Sequence, residues 1–314
     1  MGSSSAIKEG ARSEGIDLAA IKKALDEELQ EAEPESSSLP RELQQQRVSI
    51  IQSLPRDKRE RLKNSREWLQ VGISGFDALL DQGIPRRTSI LVCGGPGSGK
   101  TIFCLQTLAF GASKGERCLY LTFEESEQRL KDHMDDFGWD WRSMEHKGSL
   151  LIKRFSPFDV TRQVEAMLER AKGELLIDIK PLLFPVGFKP DRIVVDSLSA
   201  IAAAFVGKEE TYRIYIEQLF KIFEEIGATS FLISESTDVA HKLTTSGVEE
   251  FLADGVVVLY NFKRGNVREN AVEVLKLRGA KFQKKIVAMQ VTSEEGIVVY
   301  PDQEVFAGEE ESAS

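Results

Sequence analysis

The chain has 314 residues, of which 41% are hydrophobic and 29% are charged. This balance is ordinary for a folded protein and excludes wholesale disorder. Lys and Arg number 41 against 50 Asp and Glu, so the formal net charge is −9. That charge argues against a phosphate-binding surface over the whole chain, but not against a local basic groove. No apolar run approaches the roughly 20 residues that span a bilayer, so we expect no membrane segment.

The three cysteines, Cys93, Cys104 and Cys118, all lie in apolar stretches. Sparse cysteines in such surroundings are typical of core thiols in a reducing compartment and not of a disulfide framework. The first residues contain no apolar signal region. We therefore expect a soluble, cytoplasmic protein.

Residues 1–68 differ in character from the rest of the chain. Helical spacing of apolar residues predicts one helix over residues 16–33 and a second over 39–54. The net charge changes from −5 over residues 1–38 to +4 over residues 39–68. We expect a helical, partly flexible N-terminal extension, which could pack on its own domain or recruit a protein partner or nucleic acid.

From residue 69 the pattern alternates between apolar strands and helical segments, which is typical of a parallel sheet with crossover helices. The predicted strands cover residues 88–93, 117–123, 150–155, 191–196 and 229–233, and the clearest helices cover 160–171 and 210–226. Past Asp254 we expect an antiparallel extension of the sheet, with strands over 256–262, 271–277, 286–291 and 297–300. The sequence thus predicts one α/β domain over 69–301 and a disordered acidic tail over 302–314.

A glycine-rich motif follows the first of these strands. The stretch Gly94-Gly-Pro-Gly-Ser-Gly-Lys-Thr101 fits the Walker A pattern G-x-x-x-x-G-K-[ST] between a predicted strand and helix. Glycines let backbone N–H groups point at a phosphate, and the helix N-terminus adds partial positive charge. The predicted phosphate-binding residues are Gly95, Pro96, Gly97, Ser98, Gly99, Lys100 and Thr101. Lys100 should reach the β- and γ-phosphates of ATP, and the Thr101 hydroxyl should bind Mg²⁺.

Acidic residues follow two later strands. Asp196 ends an apolar strand, where its carboxylate can hold the Mg²⁺ shell. Glu124 and Glu125 follow the strand over 117–123, and hydrolysis needs a group that orients or deprotonates water. Adjacent side chains on an extended segment point to opposite sides, so we expect only one of the two to face the phosphate. We favour Glu124 as the base and Glu125 as an assisting or structural residue. Alternatively, both are acidic first-turn residues of the following helix.

Several ordered stretches together resemble the KaiC family of RecA-like P-loop ATPases over about residues 71–301. Besides the Walker A motif they are Gly72-Ile-Ser-Gly-Phe-Asp77, Gly83-Ile-Pro85, Phe123-Glu-Glu-Ser126, Val195-Asp-Ser-Leu-Ser199, Gly247-Val-Glu-Glu-Phe251 and Leu275-Lys-Leu-Arg-Gly279. The resemblance implies a RecA-like fold and a hexameric ring of identical subunits with Mg-ATP between them. It also implies that Lys276 and Arg278 cross the interface to the neighbour's γ-phosphate. Such a cation supplied in trans contributes about 10³–10⁵ in rate.

The chain departs from the family's clock protein in two respects. That protein has two fused ATPase halves and this chain has one. Its autophosphorylated Ser-Thr pair falls at Glu249 and Glu250 here. Glutamate does not replace a hydroxyl as phosphoryl acceptor, so the resemblance does not imply self-kinase activity at this position or a circadian role.

Three functional hypotheses remain. The leading one is a ring ATPase with a signalling or regulatory role. The second is a DNA-dependent ATPase of recombination or DNA remodelling, which the acidic balance disfavours and the basic stretches 56–66 and 281–285 keep open. The third is a scaffold in which ATP holds the ring together. The polar stretch 236–246 could line a pore, but an ordinary surface loop is the simpler interpretation.

Overall fold

The computed structural model describes residues 67–170, 183, 187–236, 243–244, 246–264 and 266–305. These residues belong to the compact unit Leu62–Ser314. The predicted helices over 16–33 and 39–54, the basic stretch 56–66, most of the stretch 236–246 and most of the acidic tail lie outside the described residues.

The described residues form eleven strands and seven α-helices. The strands are β1 Trp68–Leu69, β2 Ile84–Pro85, β3 Ser89–Gly94, β4 Cys118–Thr122, β5 Leu150–Arg154, β6 Arg192–Asp196, β7 Thr229–Glu235, β8 Gly255–Arg264, β9 Val267–Leu277, β10 Ile286–Thr292 and β11 Gly296–Glu304. The helices are α1 Lys100–Ser113, α2 Glu127–Asp136, α3 Trp141–His146, α4 Pro157–Arg170, α5 Leu198–Ala204, α6 Glu209–Ile226 and α7 Val248–Leu252. None of the described helices is long and apolar enough to span a membrane.

Nine strands form one mixed sheet in the order β11-β10-β9-β8-β3-β7-β6-β4-β5. The six strands from β8 to β5 run parallel, and β9, β10 and β11 run antiparallel. The predicted α/β fold with a parallel sheet and an antiparallel C-terminal extension is therefore confirmed. The strand predicted over 256–262 was wrongly assigned to the extension. It is β8, which pairs in parallel with β3 because the chain crosses over between β7 and β8.

The sheet is covered on both faces, which explains why its central strands are continuous apolar runs. On one face the α1 residues Phe103 and Leu108 pack over the sheet. On the other face the α6 residues Tyr215 and Leu219 do so. All three cysteines are buried and free, as expected. Helix α1 is thus held firmly against the sheet, which fixes the loop that precedes it.

Several element boundaries differ from those expected, and two of them lie at the limits of the predicted domain. Trp68, placed at the end of the N-terminal extension, lies in β1 and pairs with Pro85 of β2. Strand β11 continues to Glu304, past the predicted strand end at Tyr300.

The register of the parallel strands brings their carboxyl ends together at one edge of the sheet. Gly94 at the end of β3 lies opposite Glu235 at the end of β7. Thr122 at the end of β4 lies opposite Asp196 at the end of β6. Ligands of open α/β sheets bind outside the carboxyl ends of the strands. This edge, the C-terminal edge of the sheet, is therefore the candidate site.

Candidate functional site

The predicted phosphate loop, residues 95–99, connects β3 to α1. Gly97 has φ 73° and Gly99 has φ 96°, conformations that residues with a Cβ rarely adopt. Gly99 is the N-cap of α1 and provides no side-chain acceptor, and the first turn has no acidic residue. By contrast Ser126, Asp140 and Ser197 cap α2, α3 and α5 with their side chains. An uncapped helix N-terminus behind a glycine loop is suited to hold a phosphate.

The rest of the loop is compatible with this ligand. The Ser98 hydroxyl is buried and has no hydrogen-bond partner among the described residues. The Lys100 side chain is only 7% exposed, and its Nζ donates to the Gly95 carbonyl at 2.9 Å. The Glu235 carboxylate lies 3.6 Å from the same Nζ. The amine is thus held over the loop, where a phosphate would meet it. Pro96 and Gly97 form the exposed tip.

The two predicted Mg²⁺ residues lie side by side. The Thr101 hydroxyl donates to Oδ2 of Asp196 at 3.3 Å, and the Tyr120 hydroxyl donates to the same oxygen at 2.6 Å. Burial raises the pKa of the Asp196 carboxyl to about 6, and the charges of Glu124 and Glu125 act in the same direction. The hydroxyls of Tyr120 and Thr101 oppose this shift in pKa.

This oxygen donor set fits Mg²⁺. No lysine or arginine hydrogen-bonds the Asp196 side chain among the described residues, so its negative charge has no basic partner. Mg²⁺ commonly binds through one or two protein ligands together with substrate phosphates and water. A hydroxyl and a carboxylate beside a phosphate loop meet that requirement.

The structure separates the two adjacent glutamates. Oε1 of Glu124 accepts a hydrogen bond from the Ser197 hydroxyl, directly after Asp196 in the chain, and the Glu124 side chain is exposed. The Glu125 side chain contacts α2 instead, where its Oε2 lies 3.0 Å from Nε of Arg129 and 3.3 Å from Nε2 of His133. Neither glutamate lies in the first turn of α2, which begins at Glu127 with Ser126 as its N-cap. Glu124 is therefore the one that is hydrogen-bonded to the residue after Asp196, although the charges of both glutamates act on the Asp196 carboxyl.

Lys276 and Arg278 lie elsewhere. Lys276 Nζ donates to the carbonyls of Glu250 and Ala253, at 2.9 Å and 2.6 Å, around the end of α7. Arg278 donates to the Phe251 carbonyl at 3.0 Å. With Arg87 and Asp254, Arg278 also lines a cleft of about 490 Å³.

The strand register shows how far these cations are from the loop of their own chain. Leu277 pairs with Gly255, which pairs with Ile90 near the start of β3. Gly94, where the loop begins, is four residues further along, or about 13 Å at a rise of about 3.3 Å per residue. Lys276 and Arg278 therefore lie toward the opposite edge of the sheet.

The two glutamates that stand where the resemblance places the clock protein's Ser-Thr pair are part of the packing. Glu249 is only 1% exposed and accepts hydrogen bonds from the Tyr212 and Ser246 hydroxyls at 2.6 Å and 2.5 Å. Oε1 of Glu250 accepts from both the amide and the hydroxyl of Thr244. The two carboxylates thus hold Thr244 and Ser246, which precede α7 in the chain.

Sequence reasoning missed three residues at the C-terminal edge. The Tyr120 hydroxyl donates to Asp196, and the Ser197 hydroxyl donates to Glu124. Asn261 of β8 donates to the Gly97 carbonyl at 3.3 Å. Ser197 follows Asp196 within a quoted motif and could have been singled out. Tyr120 and Asn261 gave no such signal, because their roles depend on which strands are neighbours.

Comparison with known proteins agrees with the resemblance to the KaiC family that the sequence motifs indicate. The family model for the KaiC ATPase matches residues 69–304. The chain is 34% identical over 235 residues to circadian clock protein KaiC3 of Synechocystis, covering 75% of this chain and 46% of that protein. It is 32% identical over 252 residues to a UPF0273 protein of Aeropyrum pernix, covering 76% of this chain and 96% of the other.

A solved structure is similar as well. The crystal structure of a KaiC-like protein from Pyrococcus horikoshii matches with a TM-score of 0.61 and 30% identity, covering 75% of this chain and all of that one. The chain thus spans about half the length of the KaiC3 clock protein and nearly the whole length of the two archaeal proteins.

Proposed function

The chain belongs to the KaiC family of ATPases, and on that premise we propose that it hydrolyses Mg-ATP between the subunits of a ring and serves a signalling or regulatory role. One observation carries the proposal. A phosphate loop with its lysine, a hydroxyl–carboxylate pair suited to Mg²⁺ and an exposed glutamate meet at the C-terminal edge of the sheet.

Each of these groups has a place in the reaction. The loop amides and Lys100 hold the β- and γ-phosphates of ATP. Thr101 and, through water, Asp196 would hold Mg²⁺, which would supply positive charge to the phosphate oxygens. Glu124 accepts a proton from the attacking water while the oxygen of that water bonds to the γ-phosphorus. The bond from that phosphorus to the β–γ bridging oxygen breaks, and ADP and phosphate leave.

The position of the two cations within one subunit supports the proposed ring. Lys276 and Arg278 lie toward the edge opposite the phosphate loop, so they cannot reach the γ-phosphate of their own chain. Hydrogen bonds to the carbonyls around α7 hold both side chains in place at that edge. A head-to-tail arrangement that places this edge against a neighbour's phosphate loop closes into a ring if the rotation allows. The family resemblance implies six subunits.

The proposal is tested on the full chain with Mg-ATP. We expect phosphate release together with a solution mass of several subunits by light scattering, and loss of both when Mg²⁺ and nucleotide are removed. A chain that stays monomeric in Mg-ATP and takes up no nucleotide would contradict the proposal.

Action on DNA ranks second. Of the two basic stretches that keep this function open, the structure describes 281–285. Its lysines lie in the turn between β9 and β10 and are Lys281, Lys284 and Lys285. The Lys281 carbonyl accepts from the Asp81 amide there, and β9 enters this turn at the edge away from the phosphate loop. Tight binding of single-stranded DNA near 150 mM salt, with DNA-stimulated ATP hydrolysis, would place this function first.

A further inference from the structure

Tyr120 lies in the middle of β4 with its ring inside the core. The residue is 0% exposed, and its hydroxyl donates to Oδ2 of Asp196 at 2.6 Å. This is the shorter of the two hydrogen bonds to that oxygen, since Thr101 donates at 3.3 Å. A buried phenol therefore provides the closest contact to the carboxylate proposed to hold Mg²⁺.

The sheet geometry makes this contact specific. Tyr120 pairs with Val194 of β6, and Asp196 pairs with Thr122 of β4, so the phenol reaches diagonally along the sheet to the end of the next strand. An aliphatic residue at position 120 would fill the core but leave Asp196 with Thr101 alone. Because Oδ2 already accepts two hydroxyls, Oδ1 is the oxygen without a side-chain donor among the described residues.

We propose that Tyr120 is a positioning residue for the Mg²⁺ site, which rests on the proposed function. Its hydroxyl occupies Oδ2 of Asp196 and fixes the orientation of the carboxylate, so that Oδ1 is presented to the metal's water shell. Groups that orient a metal-binding side chain in this way typically change metal affinity about 10- to 100-fold when they are removed.

A purely structural role for the phenol makes a different prediction. If the hydroxyl only satisfied a polar atom in the core, its removal would lower stability and leave Mg²⁺ binding unchanged. The chain provides a matched control, because the Tyr215 hydroxyl is also buried but has no hydrogen-bond partner among the described residues. Tyr215 lies on α6, on the other face of the sheet.

The test compares Tyr120→Phe with Tyr215→Phe in the full chain. Binding of a non-hydrolysable ATP analogue is measured by calorimetry while Mg²⁺ is titrated, and Mn²⁺ binding is followed by electron paramagnetic resonance. For Tyr120→Phe we expect the Mg²⁺ concentration at half-maximal effect to rise about 10-fold, with metal-free nucleotide binding unchanged. For Tyr215→Phe we expect the wild-type value.

The possible outcomes distinguish a failure of the role of Tyr120 from a failure of the proposed function. An unchanged Mg²⁺ requirement in Tyr120→Phe, an equal rise in both variants, or failure of Tyr120→Phe to fold would each overturn the role of Tyr120. Failure of Mg²⁺ to affect nucleotide binding in the wild-type chain would instead contradict the proposed function itself.

Discussion

The Ser197 hydroxyl donates a hydrogen bond to Oε1 of Glu124, which joins the ends of β4 and β6. Ser197 also caps α5 by accepting from the Ala200 amide at 3.1 Å. The glutamate that we propose as base is therefore tied to the residue after Asp196, whereas Glu125 is tied to α2 by Arg129 and His133.

Replacing Glu124 by glutamine should abolish most hydrolysis and spare ATP binding. The amide keeps the shape of the side chain but cannot accept the proton of the attacking water. We expect turnover to fall about 10²–10⁴-fold, measured as phosphate release, while calorimetry gives an unchanged affinity for ATP. Glu125→Gln is the matched control and should retain most of the turnover. Full activity of Glu124→Gln would remove it as the base.

Arg278→Ala should be inactive alone and should regain activity when mixed with Lys100→Ala. In a mixed ring the first variant supplies an intact phosphate loop and the second supplies the arginine from the neighbouring subunit. Random mixing in equal amounts restores about a quarter of the sites in a head-to-tail ring.

Lys281→Ala, a nearby exposed cation, is the control and should be fully active without mixing. The comparison is made by phosphate release after joint refolding or subunit exchange. If the mixture remains as inactive as the separate variants, Arg278 does not act across the interface.

Replacing Glu116 by glutamine should destabilise the domain. Glu116 accepts from Arg86 at 2.6 Å and from Nε of Arg192, which is only 1% exposed. Loss of the carboxylate would leave the Arg192 charge buried without its partner, at a cost of about 3–5 kcal/mol. Urea unfolding at pH 7 measures this difference, and Glu217→Gln, which breaks the exposed pair with Arg213, should change stability little.

The same substitution predicts a pH dependence. Burial alone would raise the pKa of Glu116, but hydrogen bonds and charges from Arg192 and Arg86 outweigh it and lower the pKa below its usual 4.5. Because the pKa is lower in the folded chain, the stabilisation is complete above pH 4.5 and is lost as the pH falls through the folded value. The difference between wild type and Glu116→Gln should therefore shrink under acid. A constant difference down to pH 2 would contradict this pKa direction.

Incubation with Mg-ATP should leave Glu249 and Glu250 unmodified. Both carboxylates are held by hydroxyls of the segment before α7 and of α6, so they have a structural role. Mass spectrometry of the intact chain and of its peptides checks this. Glu249→Ala should lower thermal stability, since it leaves the buried Tyr212 hydroxyl unsatisfied.

The sequence predicted the parts of the site that depend on local pattern. The phosphate loop, the strand that ends at Asp196 and the helix α1 follow from glycine spacing and apolar runs. The direction of β8 did not, because a strand's apolar run is the same whichever way it pairs. Helix α7 could not be predicted either, because it has only five residues, too few for a helical period to repeat.

The contact between Tyr120 and Asp196 could not be predicted from the sequence either. It requires β4 and β6 to be neighbours, although β5 lies between them along the chain. Strand order is set by the packing of the whole sheet, so it cannot be inferred from any short stretch of the sequence. Strand alternation predicted that Glu124 and Glu125 point to opposite sides. In the structure both lie in a bend after β4, so alternation does not apply, but their side chains contact different partners.

The paired strands β8 and β9 extend from the glycine-rich loop before α1 toward the carbonyls around α7. At one end Asn261 of β8 donates to the Gly97 carbonyl, and toward the other Lys276 of β9 lies among the carbonyls around α7. In the proposed ring this ladder would connect the ATP of one subunit to the cations that serve its neighbour. Turnover should then be cooperative in ATP, with a Hill coefficient above one that falls when the hydrogen bond from Asn261 is removed.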